Sequence, residues 1–142
     1  MTEIAHFIDN ARVAGTSGRS QPVFNPATGE AEKNVALAST DEVNAAVASA
    51  KTAWATWSKT PPLRRARILD RFKMILWDRA DQLAEAISAE HGKTHDDAVG
   101  EVTRGLEVVE FAVGAPHLLK GDYTEDVGTG VDSNSVRQSL GF

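Results

Sequence analysis

Three runs of apolar residues at helical spacing occupy the middle of the chain. Val43, Ala46, Val47, Ala50, Trp54 and Trp57 recur every three or four positions, which predicts a helix with one buried stripe. Ser39 and Glu42 precede it at capping-box spacing, with hydroxyl and carboxylate each taking an orphan N–H. Pro61-Pro62 stops that helix and opens the next. Leu69, Phe72, Leu76, Ala80, Leu83 and Ile87 mark a second stripe. The span 63–90 is long for one globular helix, and Asp78 and Asp81 are the candidate caps of a second piece. Gly92 suits the residue after a helix end. Val99, Val102, Leu106, Val109 and Val113 make a third stripe, with Thr94 and Asp97 at its start and Gly114 and Pro116 at its end. Gly100 and Gly105 sit inside that helix, where each costs about 1 kcal/mol relative to alanine. Their presence predicts close packing of another backbone, or of a ligand.

On either side the pattern is extended. Residues 6–13 read as two short strands about an Asp9-Asn10 turn, since both residues tolerate left-handed backbone. Gly15-Thr16-Ser17-Gly18 is a loop. Residues 22–30 form an extended piece that turns back on itself at Asn25-Pro26 and Thr28-Gly29. Residues 34–38 predict another short strand. In the tail, Gly128 and Gly130 make a turn between two extended arms. The fold class is therefore α/β. Strands and loops fill 1–38, three or four helices fill 39–116, and a two-stranded arm fills 117–142.

Composition narrows the chemistry. The 142 residues include no cysteine, which excludes disulfides, thiolate zinc sites and a cysteine nucleophile within this chain. Hydrophobic content of 42% and charged content of 25% are those of a soluble globular protein. A net charge of −5 argues against a nucleic-acid binder. No apolar run approaches the roughly 18–20 residues of a membrane span. Residues 1–9 carry two acidic side chains and no basic one, unlike a signal peptide, so a cytoplasmic location is expected. Arg64, Arg65, Arg67, Arg71, Lys73 and Arg79 cluster ahead of an acidic stretch from 81 to 126. Such a pair is either a dipole for partners or, more commonly, two solvated faces.

Several motifs fall short of a site. Gly92-Lys93-Thr94 lacks the first glycine of a phosphate loop, because Ile87 stands there on a helix. His91 and His95 are four apart, but Gly92 breaks the helix between them, so no metal site is expected. Arg19 stands where a nucleophile elbow beginning at Gly15 needs its second glycine. Trp54, Trp57 and Trp77 suit core or interface packing better than base stacking. Arg104 is the candidate that remains. It lies about 200° around the helix from Val102, on a mixed face with a glycine one turn earlier. A guanidinium there can clamp a carboxylate in fork geometry, or simply pair with Glu101.

Phe24-Asn25-Pro26-Ala27-Thr28-Gly29-Glu30 resembles the N-terminal signature of the NAD(P)-dependent aldehyde dehydrogenases. The helix order, the Glu90-His91-Gly92-Lys93-Thr94 turn and the Gly100-Glu101-Val102 helix resemble the same family. Gly100-Glu101-Val102-Thr103-Arg104-Gly105-Leu106-Glu107-Val108-Val109-Glu110-Phe111-Ala112 and Gly121-Asp122-Tyr123-Thr124-Glu125 are similar to its CoA-acylating methylmalonate-semialdehyde dehydrogenase branch. Ser139 and Asn134 depart from the pattern, which has proline and an aromatic there.

The resemblance implies the N-terminal part of an NAD-dependent enzyme that turns malonate or methylmalonate semialdehyde into acetyl- or propionyl-CoA. The family's cysteine nucleophile, glutamate base and oxyanion-holding asparagine fall beyond the matched stretch, so no catalytic residue is expected here. Neither NAD nor CoA is expected to bind tightly to this chain, which is expected to be inactive alone. Arg104 is placed near the substrate entrance as partner for a substrate carboxylate. The arms 122–127 and 131–138 are placed where family subunits assemble, which implies a homo-oligomer through 122–138. Two alternatives remain: a truncated non-catalytic paralogue docking on full-length subunits, and an unrelated small α/β module.

Overall fold

The computed structural model describes residues 2–141, so Met1 and Phe142, the two ends of the expected strand and arm regions, lie outside it. Strand β1 (Thr2–Ile4) runs parallel to β5 (Ala31–Ala36), and β4 (Ser20–Phe24) pairs antiparallel with β5 on its other side. The register sets Thr2 beside Lys33 and Ser20 beside Ala36. Strand β5 begins and ends earlier than the expected 34–38, and β1 was not foreseen. Strand β1 depends on a partner about thirty residues away, and β5 takes its start from β4, where Ala31 pairs with Phe24; local alternation reveals neither. Strands β2 (His6–Ile8) and β3 (Ala11–Val13) form the expected hairpin, with Asp9 and Asn10 at φ 52° and 59°. The turn at 25–30 is tied by Asn25, whose Oδ1 accepts from the N–H of Ala27 at 2.8 Å, while Gly29 supplies φ 74°.

Helix α1 (Thr40–Trp57) begins with the expected capping box. The Glu42 N–H donates to Ser39 Oγ at 3.2 Å, and the Ser39 N–H donates to Glu42 Oε2 at 2.7 Å. Pro62 opens α2 (Pro62–Asp78), and α3 (Ala80–His91) follows after a single break at Arg79. Neither Asp78 nor Asp81 caps that break, contrary to expectation. Arg79 turns the chain by backbone alone, at φ −113° and ψ 16°. Gly92 ends α3 in left-handed conformation at φ 82°, as expected. Helix α4 (His95–Val113) is capped by Thr94, and a short α5 (Ala115–Leu118) follows Gly114. Strands β6 (Tyr123–Gly128) and β7 (Val131–Asn134) form the arm as an antiparallel hairpin, with the second strand ending four residues before the expected 138.

The core is small. Ala84, Ala98, Val102 and Leu106 are buried where α3 crosses α4, with Leu76, Ala80 and Ile87 packed beside them. Helix α1 buries no residue at all. Its expected inward stripe is open at Val43, Val47 and Trp57, and on α2 Trp77 is 69% exposed. The α1 stripe and these two tryptophans are thus uncovered within this chain, whereas the stripes of α3 and α4 meet in the core. Gly100 and Gly105 likewise have nothing within 4 Å of where a Cβ would stand, so no other element among the described residues approaches them. The chain exposes 11040 Å². A compact monomer of this size exposes about 7,100 Å². Open apolar helix faces and the fully exposed arm both contribute to the excess.

Candidate functional site

Helix α4 carries the candidate site. The Asp97 N–H donates to Thr94 Oγ1 at 3.4 Å, satisfying one open donor of the first turn. Lys93, just before the cap, reaches forward along the same face. Its Nζ lies 2.7 Å from Asp97 Oδ2 and 2.7 Å from Glu101 Oε1, with the side chain only 13% exposed. The bonds to Asp97 and then Glu101 hold the Lys93 ammonium above the usual lysine range, and the bond from Lys93 lowers the Asp97 carboxyl.

Arg104 stands one turn further on, 80% exposed. Its Nη1 donates to Glu107 Oε2 at 2.9 Å. The sequence suggested Glu101 as the alternative partner, and the structure corrects that, because Glu101 is engaged by Lys93. Glu107 also lines a cleft of about 320 Å³ between α2 and α4, whose apolar floor is Met74, Trp77 and Leu106. Lys73 crosses the cleft edge to Glu110 at 3.6 Å. Glu107 was missed from sequence. Its three-residue spacing from Arg104 is the available signal, but Glu101 offers the same spacing on the other side.

The other sequence candidates resolve into structural roles. Gly92 closes α3, Thr94 caps α4, and Lys93 holds two carboxylates, so Gly92-Lys93-Thr94 makes no phosphate cradle. His95 Nε2 lies 2.9 Å from Asp81 Oδ1, fastening the start of α4 to α3. No group of three or more metal-ligating side chains occurs among the described residues. Ser17 Oγ donates to the Leu37 carbonyl, which uses that hydroxyl to pin the loop. No helix of the described residues is long and apolar enough to cross a membrane.

The β6–β7 arm stands out from the helices with every residue of both strands exposed. Tyr123 Oη donates to Asp132 Oδ2 at 2.6 Å, and the Asp126 N–H donates to Asp132 Oδ1 at 3.0 Å. These bonds lower the Asp132 carboxyl, Tyr123 acting most, while the same contact raises the Tyr123 hydroxyl. At the root of the arm, the Ser135 N–H donates to the Asp122 carbonyl at 2.8 Å.

Residues 13–142 match the aldehyde dehydrogenase family. Malonate-semialdehyde dehydrogenase 2 of Geobacillus thermodenitrificans is 46% identical over 99% of this chain and 30% of its own length. Malonate-semialdehyde dehydrogenase of Pseudomonas aeruginosa is 43% identical over 96% of this chain and 27% of its own. Among solved structures, a methylmalonate-semialdehyde dehydrogenase from Sinorhizobium meliloti complexed with NAD superposes with a TM-score of 0.93. It is 55% identical over 99% of this chain and 29% of its own. One from Oceanimonas doudoroffii gives 0.91 and 51%, over 97% of this chain and 28% of its own. The chain thus spans about 30% of the length of the relatives it matches, and its fold is that of their N-terminal part.

Proposed function

The chain belongs to the aldehyde dehydrogenase family, and on that premise we propose that it forms the N-terminal part of an NAD-dependent, CoA-acylating semialdehyde dehydrogenase. The substrate is malonate or methylmalonate semialdehyde, and the product is the acyl-CoA. The observation that carries the reading is the 55% identity over 99% of the chain to a methylmalonate-semialdehyde dehydrogenase of the same local fold. The open apolar faces support it, because further polypeptide of a larger enzyme is what their periodicity anticipates.

In this reading Arg104 binds the carboxylate that a semialdehyde acid carries at the end away from its aldehyde. An exposed guanidinium with a single carboxylate partner among the described residues has donors to spare for a two-point grip. The chain supplies neither nucleophile nor dinucleotide cradle, so NAD and CoA bind elsewhere in the enzyme. The arm 122–138 mediates homo-oligomer assembly by pairing its open strand edges. The enzyme is cytoplasmic, in keeping with its composition.

The test joins residues 1–142 to the remaining part of the Sinorhizobium meliloti relative. The chimera is expected to form NADH from malonate semialdehyde and CoA, and the chain alone is not. A folded chimera that binds NAD but oxidises no semialdehyde would count against the reading.

A further inference from the structure

We propose that Lys93 and Glu107 together aim the Arg104 guanidinium, which makes Glu107 a positioning residue for the substrate carboxylate. The proposal rests on the reading that Arg104 receives that carboxylate. Side chains on an α-helix lean toward its N-terminus. That lean takes Arg104 toward Gly100 and Glu101, one turn back. Glu101 is the carboxylate in natural reach, yet it is held at 2.7 Å by Lys93, itself braced by Asp97 at 2.7 Å. Gly100 offers no side chain as a wall, and nothing stands within 4 Å of where its Cβ would be. With Glu101 occupied, Arg104 swings the other way and donates through Nη1 to Glu107 at 2.9 Å.

The direction has a chemical consequence. One bond at Nη1 leaves the Nε–Nη2 edge of the guanidinium unengaged by any carboxylate among the described residues. That edge is the fork which meets a carboxylate through two parallel bonds. The pair is exposed at both ends, so it adds little to the strength of the fold. What it contributes is order, because a long side chain fixed beforehand loses less freedom when the ligand arrives. Lys93 acts at one remove, by keeping the competing carboxylate of Glu101 away.

The experiment compares kcat/KM for malonate semialdehyde with kcat/KM for propanal in the chimera, since propanal has no carboxylate. Glu107→Ala is expected to lower the ratio about threefold to tenfold, the scale of one long side chain left unfixed. Glu107→Gln keeps an acceptor oxygen and is expected to restore most of it. Lys93→Met is expected to lower the ratio as well, by releasing Glu101 to compete. Equal losses on both aldehydes in Glu107→Ala would overturn the proposal, because a structural defect does not distinguish them. An unchanged ratio in Glu107→Ala with a reduced one in Arg104→Gln would overturn the positioning role and leave the carboxylate reading standing. An unchanged ratio in Arg104→Gln would remove the reading beneath it.

Discussion

The Glu42 carboxylate accepts the backbone N–H of Thr16 at 2.6 Å, across 26 positions of sequence. Its other oxygen takes the Ser39 N–H at 2.7 Å. A single side chain thus caps α1 and clasps the loop at 15–18 to it. The Ser39 backbone bond first, and the Thr16 bond next, lower the Glu42 carboxyl from 4.5 to about 2.

Acid should therefore loosen this corner. A carboxyl with a depressed folded value adds stability above its unfolded value, and that contribution fades as pH falls toward the folded one. For Glu42 the window runs from 4.5 down to about 2. Far-UV circular dichroism of the chain should show helix loss on acidification in that window. Glu42→Gln should start less helical at neutral pH and titrate more flatly. Superimposable titrations of the two would refute the clasp.

Gly121 lies against the root of the arm, where an added Cβ would overlap the Ser135 carbonyl oxygen. Backbone cannot yield as a flexible side chain can. Gly121→Ala should break the Asp122–Ser135 pairing and free the hairpin, read as faster amide exchange at Ser135. In the chimera it should also weaken oligomer assembly, seen by analytical ultracentrifugation. Unaltered exchange and assembly would show that the crowded root is dispensable.

Gly100 and Gly105 should respond oppositely in two settings. In the chain alone nothing opposes a Cβ, so alanine at either position should raise helix stability by about 0.5–1 kcal/mol. In the chimera, where other backbone is expected to press on α4, the same substitutions should lower the melting temperature or activity. A gain in both settings would mean that the two glycines serve no close approach.

The open faces of α1, α2 and α4 make a prediction of their own. Val43, Val47, Phe72, Met74, Trp77 and Phe111 are exposed together with little to cover them. The chain alone should bind ANS strongly, lack a sharp thermal transition and tend to aggregate. Weak ANS binding with a cooperative melt would contradict this.

What could be read in advance was what neighbours in sequence decide. Ser39 with Glu42, Gly92 after α3, Thr94 before α4 and the Asp9-Asn10 turn are local devices, and each appears where its residues place it. Strand β1 escaped notice because Thr2–Ile4 gains its identity from Lys33–Val35, far along the chain. The break at Arg79 falls between Asp78 and Asp81, where the length of the span anticipates it, but neither carboxylate makes it. At the candidate site, Arg104 was legible by its face, but its partner was not. Choosing Glu107 over Glu101 required knowing where Lys93 points. The stripes were legible as apolar, and those of α3 and α4 meet in the core while that of α1 stays open, since periodicity specifies that a face is to be buried and not by which polypeptide.

The most direct test of the account measures NADH formation by the chimera on malonate semialdehyde and on propanal, with Arg104 intact and as Arg104→Gln. The account predicts activity on both aldehydes with arginine present. It predicts a loss of about tenfold or more in kcat/KM confined to malonate semialdehyde when the guanidinium is removed, the scale of a lost charge-assisted hydrogen bond. A chimera that oxidises both aldehydes equally well with either residue would contradict the assignment of this segment to carboxylate recognition.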